Sequence, residues 1–289
     1  MNDPPPDRAR PPDGPNFEAN LVLVDREIRP GRTLTYLAEV DLSQVERLRD
    51  RWPGPTGPSL ATFVVKALAR ALRDFPDANR RSRSRGSWPS GRPKLQEFAG
   101  CDVAVAVERE ARGSAPTTTF AILHDADEAP IDEIARALRA LDARASAACC
   151  RPGQPRGSFA HLIRRLRDTP GAWARDRGGA ALVCAPDRSG VDAVLGTWPH
   201  PIGVSFGQVR PRPVAVGTAV EVRPAFFLSL NFDRRVMIAM QAARFLRRMV
   251  DFLENAGDEM APFLTPDARV DFPTVEVPEI DRGSWGREA

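Results

Sequence analysis

Residues 231–246 read Asn-Phe-Asp-Arg-Arg-Val-Met-Ile-Ala-Met-Gln-Ala-Ala-Arg-Phe-Leu. The apolar run just before them, residues 225–230, predicts a β-strand. After them, apolar residues recur at the spacing of one helix face: Ala242, Ala243, Phe245, Leu246, Met249, Val250 and Leu253. The stretch therefore predicts a strand and a half-buried helix, with Asp233, Arg234 and Arg235 at the junction between them.

This junction resembles the motif Phe-Asp-His-Arg-x-x-Asp-Gly of the dihydrolipoyl acyltransferases of 2-oxoacid dehydrogenase complexes, which are related in fold to chloramphenicol acetyltransferase. Matches occur at Phe232, Asp233, Arg235 and residues 242–246. Three positions depart from the motif, because Arg234 replaces its histidine, Ile238 its second aspartate and Ala239 its glycine. The resemblance thus covers the motif but not its proton-accepting residue.

The resemblance extends over residues 34 to 255. It rests on Ala38–Ser43, Ser59–Ala69, Phe75–Asn79, Cys101–Val107, Ile122–Asp127, Ile202–Gly207 and Arg212–Val216, which follow the family's order. It implies the α/β fold class, as a chloramphenicol-acetyltransferase-like sandwich of a mixed sheet and packed helices in a single domain. We expect a flexible, proline-rich arm over residues 1–20, the acyltransferase-like domain over 21–256 and a C-terminal tail over 257–289.

Local patterns agree with a mixed α/β layout. Ser59 is a plausible N-cap for a helix that Phe75-Pro76 ends, and a second amphipathic helix is predicted from about Pro130. A third, shorter helix carries Phe159, Leu162, Ile163 and Leu166. Strands are predicted at residues 103–107, 182–183, 202–206, 214–216 and 225–230, with a turn at Gly217-Thr218.

Composition places the chain among globular proteins. It has 289 residues, 42% of them hydrophobic and 27% charged, and contains no run of the ~20 apolar residues needed to cross a bilayer. The N-terminus lacks the apolar core of a secretory signal, so we expect a cytoplasmic location and no membrane contact. The four cysteines, Cys101, Cys149, Cys150 and Cys184, are expected to be reduced, and no metal site is predicted.

The net charge is only +3, and most basic residues are arginine. Arginine clusters within residues 80–85 and 164–167 could contact phosphates of nucleic acid, coenzyme A or a carrier-protein arm. Nucleic acid is not favoured, because the clusters lack interleaved aromatic residues and a recognition motif.

The resemblance implies that the motif histidine would remove a proton from the thiol or hydroxyl that attacks an acyl thioester. An arginine side chain stays protonated and cannot accept that proton. We therefore expect that standard acyl transfer is lost or repurposed. Arg234 either offers a cation to a carboxylate or phosphate, or fills space in a contact with Asp233 or a glutamate; Arg235 and Ser189 are further candidate ligand-binding residues.

The resemblance also implies a serine or threonine that donates to the tetrahedral oxyanion, and Cys184 in the segment Gly178–Cys184 occupies its place. A thiol is the weaker donor. Cys184 could instead be a nucleophile, or simply a small buried residue beside a strand. Among substitute bases, His200 is preferred over His124, which is expected to be structural, and His161, which is expected to be a surface residue.

We expect a homotrimer with the ligand channel between subunits, no lipoyl domain and no tightly bound cofactor. The segment between Cys150 and Gly178, and Pro199-His200, resemble stand-alone relatives, which favours specialised metabolism. Three hypotheses follow. The protein handles an acyl thioester of coenzyme A or an acyl carrier protein without the histidine reaction; or it transfers acyl groups to a small hydroxyl or amine with another base such as His200; or it is a non-catalytic trimeric scaffold for a metabolic partner.

Overall fold

The computed structural model describes residues 32–53, 57–83, 94–109, 117–147, 177–184 and 190–264. The strands are β1 Thr33–Asp41, β2 Arg80–Arg83, β3 Lys94–Glu97, β4 Val103–Arg109, β5 Thr117–Leu123, β6 Ala181–Cys184, β7 Ile202–Phe206, β8 Arg210–Val216 and β9 Ala219–Asp233. The helices are α1 Ser43–Asp50, α2 Leu60–Asp74, α3 Ile131–Ala147, α4 Ala239–Glu254 and α5 Ala256–Glu259. Short 3-10 turns span Pro76–Ala78 and Ala261–Phe263.

One mixed sheet organises these elements, with the strand order β1-β9-β7-β6-β4-β5 in the described residues. Strands β4, β6 and β7 run parallel to one another, whereas β1, β7 and β8 pair antiparallel with β9 and β5 pairs antiparallel with β4. The starts of β1, β4, β6 and β7 therefore lie at the same end of the sheet as the ends of β5 and β9. We call this end of the sheet the motif end, since Asp233 lies there.

Helices cover one face of the sheet. Their apolar sides pack on alternate residues of the central strands, which point to that face together, and α2 packs against both α3 and α4. The fully buried side chains include Phe63, Leu68, Phe226, Leu230, Phe232, Phe245 and Phe252. Phe75 at the end of α2 meets Phe245 of α4 edge to face, with ring centroids 5.8 Å apart.

Lys66 on α2 is fully buried in this core. Its Nζ donates to the carbonyl oxygens of Ala126, Asp127 and Ala129, at 3.2, 2.8 and 2.7 Å. The Phe263 ring lies against it, with the centroid 3.5 Å from Nζ. The lysine thus joins α2 to the turn between β5 and α3, because buried charges persist only where polar groups surround them.

The opposite face of the sheet is covered by the chain segment 190–198. An added Cβ at Gly203 would lie 1.8 Å from Trp198 Cδ1, so the indole packs directly on the β7 backbone. The Ser205 and Ser229 hydroxyls donate to the Val194 carbonyl at 2.9 and 2.7 Å. Small residues on β7 therefore allow this segment to approach the sheet closely.

Strands β8 and β9 extend beyond the sheet as a two-stranded arm. Pairing places Pro211 opposite Pro224, Pro213 opposite Val222 and Ala215 opposite Val220, so these six apolar residues share one face. Val220 and Val222 are 73% and 75% exposed. Gly217, with a φ of 59°, forms the turn at the tip, because that left-handed conformation suits glycine.

The predicted fold class is confirmed, as are the helix after Ser59, the helix after Pro130 and the five predicted strands. Several local predictions were incomplete or wrong. Helix α1 and the β2–β3 ribbon were not predicted, and Ala243 is exposed although it was expected on the buried side of α4. Met260 and Leu264 are buried in the core, so packing continues past the expected domain boundary at residue 256.

Some predictions lie outside the described residues. These concern the N-terminal arm, the tail after residue 264, the helix around residues 159–166, His161, Cys149, Cys150, Ser189 and the arginines at 164–167. In the described part of the chain, none of the helices has the length and apolar character of a transmembrane span.

Candidate functional site

The charged junction lies where β9 ends and before α4 begins. The Asp233 amide donates to the Pro201 carbonyl at 2.8 Å, and the Arg234 amide donates to the Arg32 carbonyl at 2.9 Å. The Val236 and Met237 amides both donate to the Asp233 carbonyl. These bonds tie the turn to the starts of β1 and β7, so its side chains project from a fixed backbone.

Asp233 pairs with Arg235, not with Arg234. The carboxylate is nearly buried and accepts from the Arg235 amide at 2.9 Å, from Nε at 3.0 Å and from a terminal guanidinium nitrogen at 2.5 Å. A fork of this kind is a strong charge-assisted pair. The expected alternative contact between Arg234 and Asp233 is therefore not formed, and Arg235 is a structural partner of the aspartate.

Arg234 is exposed, and its guanidinium makes no hydrogen bond or ion pair with any residue that the structure describes. The expected contact with a glutamate is accordingly not seen there either. Two large apolar side chains nearby in sequence, Ile238 and Met240, are 64% and 63% exposed. The junction thus carries an exposed cation, and exposed apolar residues follow it within six positions along the chain.

Cys184 lies on a different part of the sheet. It ends β6, is only 7% exposed, and aligns with Ser205 of β7, which aligns in turn with Ser229 of β9. Two strand spacings and four residues along β9 separate it from Asp233, roughly 16 Å within one subunit. A single subunit therefore does not bring the thiol to the charged junction.

His200 is at the motif end but is 2% exposed. Its Nε2 lies 2.9 Å from the Arg177 carbonyl, so the ring donates there. Burial, together with the charges of Arg177 and Arg81, lowers the pKa of His200 to about 4, although the hydrogen bond to Arg177 opposes this. The ring is neutral at pH 7 but is a weak and inaccessible base, contrary to its preferred place among the candidates.

His124 is exposed, unlike His200, and has a carboxylate beside its ring. It follows β5, its side chain is 69% exposed, and its Nδ1 lies 3.1 Å from Oδ2 of Asp102. A carboxylate can only accept, so Nδ1 carries the proton and the neutral ring keeps its Nε2 lone pair. The other oxygen of Asp102 accepts from the Asp125 amide at 3.1 Å.

Sequence reasoning missed Asp102 and underrated His124. The signal that could have found the pair is the β4–β5 hairpin, in which Val103 aligns with Leu123 and so places the preceding and following residues side by side. Backbone strain marks the same turn, because Asp125 has a φ of 45°, which is uncommon for a residue other than glycine.

Two arginines of the β2–β3 ribbon, Arg80 and Arg81, have partners among the described residues. Arg80 pairs with Asp77 and Glu97, and Arg81 is buried with Nε 3.0 Å from the Gln96 side-chain oxygen. No group of three histidine, cysteine, aspartate or glutamate residues suited to a metal ion occurs in the described ranges.

Together, the mixed sheet, the helical layer and the junction at residues 231–246 define an acyltransferase catalytic domain of the α/β class. The family of 2-oxoacid dehydrogenases acyltransferase (catalytic domain) matches residues 30–162 and 201–261, and the chain belongs to this family. Residues 163–200, which include Cys184, are not part of that match.

Curated relatives are longer proteins. The chain is 27% identical over 241 residues to the dihydrolipoyllysine-residue acetyltransferase component of the pyruvate dehydrogenase complex of Corynebacterium glutamicum, covering 78% of this chain and 30% of that protein. It is 24% identical over 230 residues to the lipoamide acyltransferase component of the branched-chain alpha-keto acid dehydrogenase complex of Pseudomonas aeruginosa, covering 76% and 46%. The chain thus spans less than half the length of these relatives.

Solved structures share the fold. A probable dihydrolipoamide acetyltransferase of Listeria monocytogenes superposes with a TM-score of 0.64 at 21% identity, covering 86% of this chain and 95% of that one. The dihydrolipoamide acetyltransferase of Azotobacter vinelandii superposes with a TM-score of 0.63 at 19% identity, covering 89% and 98%. The latter structure belongs to a study of a serine, a histidine and an asparagine in that enzyme's catalytic mechanism.

Proposed function

We propose that this protein binds an acyl thioester or a related anionic ligand at Arg234, and that it does not run the histidine-dependent acyl transfer of its relatives. One observation carries the proposal. Arg234 stands at the motif position of the proton acceptor as an exposed cation, while the nearby carboxylate of Asp233 is occupied by Arg235.

The loss of the general base is expected to lower the rate of acyl transfer by a predictable factor. A positioned general base contributes about 10² to 10⁴ in rate, and a guanidinium stays protonated throughout the physiological range. The Azotobacter study names a histidine and an asparagine four positions apart, the spacing of Arg234 and Ile238. With Arg234 and Ile238 at this spacing, the chain offers neither a histidine nor an asparagine there, so a reaction that needs these two groups would lack them.

The ligand class follows from the relatives and the charge. The relatives are named as a dihydrolipoyllysine-residue acetyltransferase and a lipoamide acyltransferase, and a guanidinium binds phosphate or carboxylate in a two-pronged contact. We assign coenzyme A or a phosphopantetheine-linked acyl group of a carrier protein as the ligand, bound reversibly as substrate and not as a tightly held cofactor.

Binding of coenzyme A and acetyl-coenzyme A by calorimetry tests the proposal. Arg234→Ala is expected to weaken binding about 10-fold or more, because a hydrogen bond to a charged group contributes about 1.5 to 3 kcal/mol. Arg136→Ala is the matched control, since it removes an equally exposed arginine that pairs with Asp132 on α3. Equal affinities of wild type and Arg234→Ala would refute the anion site.

We further propose that the subunits form a homotrimer. The apolar face of the β8–β9 arm supports a subunit contact, because exposed contiguous apolar surface is typical of interaction sites. A contact between subunits would also allow Cys184 of one copy to approach the junction of another. Light scattering should give three times the chain mass, and Val220→Asp with Val222→Asp should reduce it, whereas Thr218→Asp at the tip should not.

The alternative with His200 as the base is disfavoured by the burial of that ring and its low pKa. The scaffold hypothesis predicts a trimer without affinity for coenzyme A, so the same binding experiment distinguishes it from the proposed function.

A further inference from the structure

The His124–Asp102 pair lies at the motif end of the sheet. Phe232, Ile202, Ala181, Val103 and Leu123 align across β9, β7, β6, β4 and β5. His124 follows Leu123, and Arg234 follows Phe232 by two residues. Four strand spacings of about 4.8 Å therefore separate the end of β9, which Arg234 follows, from the end of β5, which His124 follows, roughly 19 Å between backbone positions along the motif end.

The pair is held in place by its surroundings. An added Cβ at Gly179 would lie 2.9 Å from the Asp102 carbonyl oxygen, so the entry to β6 packs directly against the residue that orients His124. The Asp125 amide fixes the second carboxylate oxygen of Asp102. A carboxylate held on both sides in this way gives His124 a fixed partner for its Nδ1, which orients the ring for proton transfer.

The separation between the two strand ends is comparable to the length of a phosphopantetheine arm. The arm that joins the phosphate of phosphopantetheine to its sulfur extends about 15 Å, judged from the reach of a chain of ordinary single bonds. An arm of this length covers most of the roughly 19 Å between the two backbone positions, and the extended Arg234 and His124 side chains can cover the rest.

We propose that His124, positioned by Asp102, accepts the proton of a water or hydroxyl that attacks an acyl thioester whose phosphate is held by Arg234. The attacking oxygen forms a bond to the thioester carbonyl carbon while His124 Nε2 takes its proton. The carbon–sulfur bond then breaks, and the imidazolium returns the proton to the departing thiolate. The products are a thiol and either a carboxylic acid or an ester, and no further reactant is required.

This inference rests on the proposed function, so binding and turnover are measured separately. Thiol release is followed with acetyl-, hexanoyl- and benzoyl-coenzyme A, with and without a small alcohol, and calorimetry with coenzyme A reports binding. The variants are His124→Gln, His124→Gly and Asp102→Asn. Glu128→Gln is the matched control, because it removes an exposed carboxylate on the same turn that pairs with Arg73 and not with the His124–Asp102 pair.

We expect His124→Gln to lower thiol release about 10² to 10⁴-fold while the affinity for coenzyme A is unchanged. Asp102→Asn should also lower release, since an amide nitrogen facing Nδ1 favours the tautomer that blocks Nε2. Added imidazole should restore part of the activity of His124→Gly, a result that a structural role would not give. Release without alcohol identifies water as acceptor, and release only with alcohol identifies a hydroxyl.

Two results would overturn the inference while leaving the proposed function intact. One is binding of coenzyme A by the wild type without thiol release from any donor. The other is release that His124→Gln leaves unchanged. A wild type that does not bind coenzyme A would instead overturn the proposed function itself.

Discussion

Replacing His200 with glutamine is expected to make the protein less sensitive to acid. The ordinary pKa of histidine is near 6.5, and burial lowers the pKa of His200 to about 4. Between these values the unfolded chain binds a proton that the folded chain does not, so the free energy of unfolding falls as the pH falls from 6.5 towards 4. The difference of about 2.5 pH units corresponds to about 3 kcal/mol.

Urea unfolding followed by circular dichroism at pH 8, 7, 6, 5 and 4 measures this effect. At pH 8 the difference in free energy of unfolding between the wild type and His200→Gln reports the loss of packing alone, because His200 is neutral there in the folded and the unfolded chain. The glutamine amide can still donate to the Arg177 carbonyl. From pH 7 to pH 4 the wild type should lose about 3 kcal/mol more than His200→Gln. Ser205→Ala, a buried polar deletion without a titrating group, should keep the wild-type pH dependence. Parallel curves for the wild type and His200→Gln would refute the reasoning.

Three other experiments test the buried lysine of the core, the second face of the sheet and the thiol of Cys101. Burial, reinforced by the charge of Arg70, lowers the pKa of Lys66 to about 7. The folded chain therefore releases this proton at a lower pH than the unfolded chain, so the free energy of unfolding rises as the pH rises from 7 towards the ordinary pKa of lysine. Urea unfolding should show the wild type gaining up to about 3 kcal/mol in this free energy relative to Lys66→Met by pH 10. Gly203→Ala would force Trp198 off the sheet and should cost about 1 to 3 kcal/mol with a shift in tryptophan emission, whereas Gly57→Ala, with no atom closer than 3.4 Å, should be neutral. Burial raises the pKa of Cys101 to about 12, so peptide mapping after iodoacetamide treatment should find it unmodified in the folded protein and modified in urea.

The elements that the sequence predicted are helices with one apolar side and strands that form short apolar runs. Helices α2 and α4 have one apolar side, and β4 and β7 are apolar runs bounded by turns, so their spacing alone identified them. The first half of β9 pairs with β8 at the margin of the sheet, its valines are exposed, and no strand was predicted there. Ribbon β2–β3 is built mainly from polar and charged residues, with Leu95 as its one apolar residue, so it has no apolar pattern.

The candidate site was predictable in composition but not in arrangement. The motif comparison identified Arg234 as the departure, yet it could not say that Asp233 would choose Arg235, since both arginines are within reach of one carboxylate in the sequence. His200 lies between two prolines, a context typical of exposed loops, but it is buried because its loop enters the parallel strand β7 beneath Arg177. Burial of a loop residue depends on long-range packing, which local sequence does not record.

The motif end of the sheet thus has an electrostatic order that differs from that of a histidine-based acyltransferase. The place of the proton acceptor holds a permanent cation, and the ring at the start of β7 is buried and hard to protonate. The ring after β5 is exposed and oriented by a carboxylate. Anion binding and proton acceptance require opposite local charges, because a nearby guanidinium disfavours an imidazolium. The proposed site keeps the two groups apart, on strand ends whose backbone positions are about 19 Å from each other along the motif end.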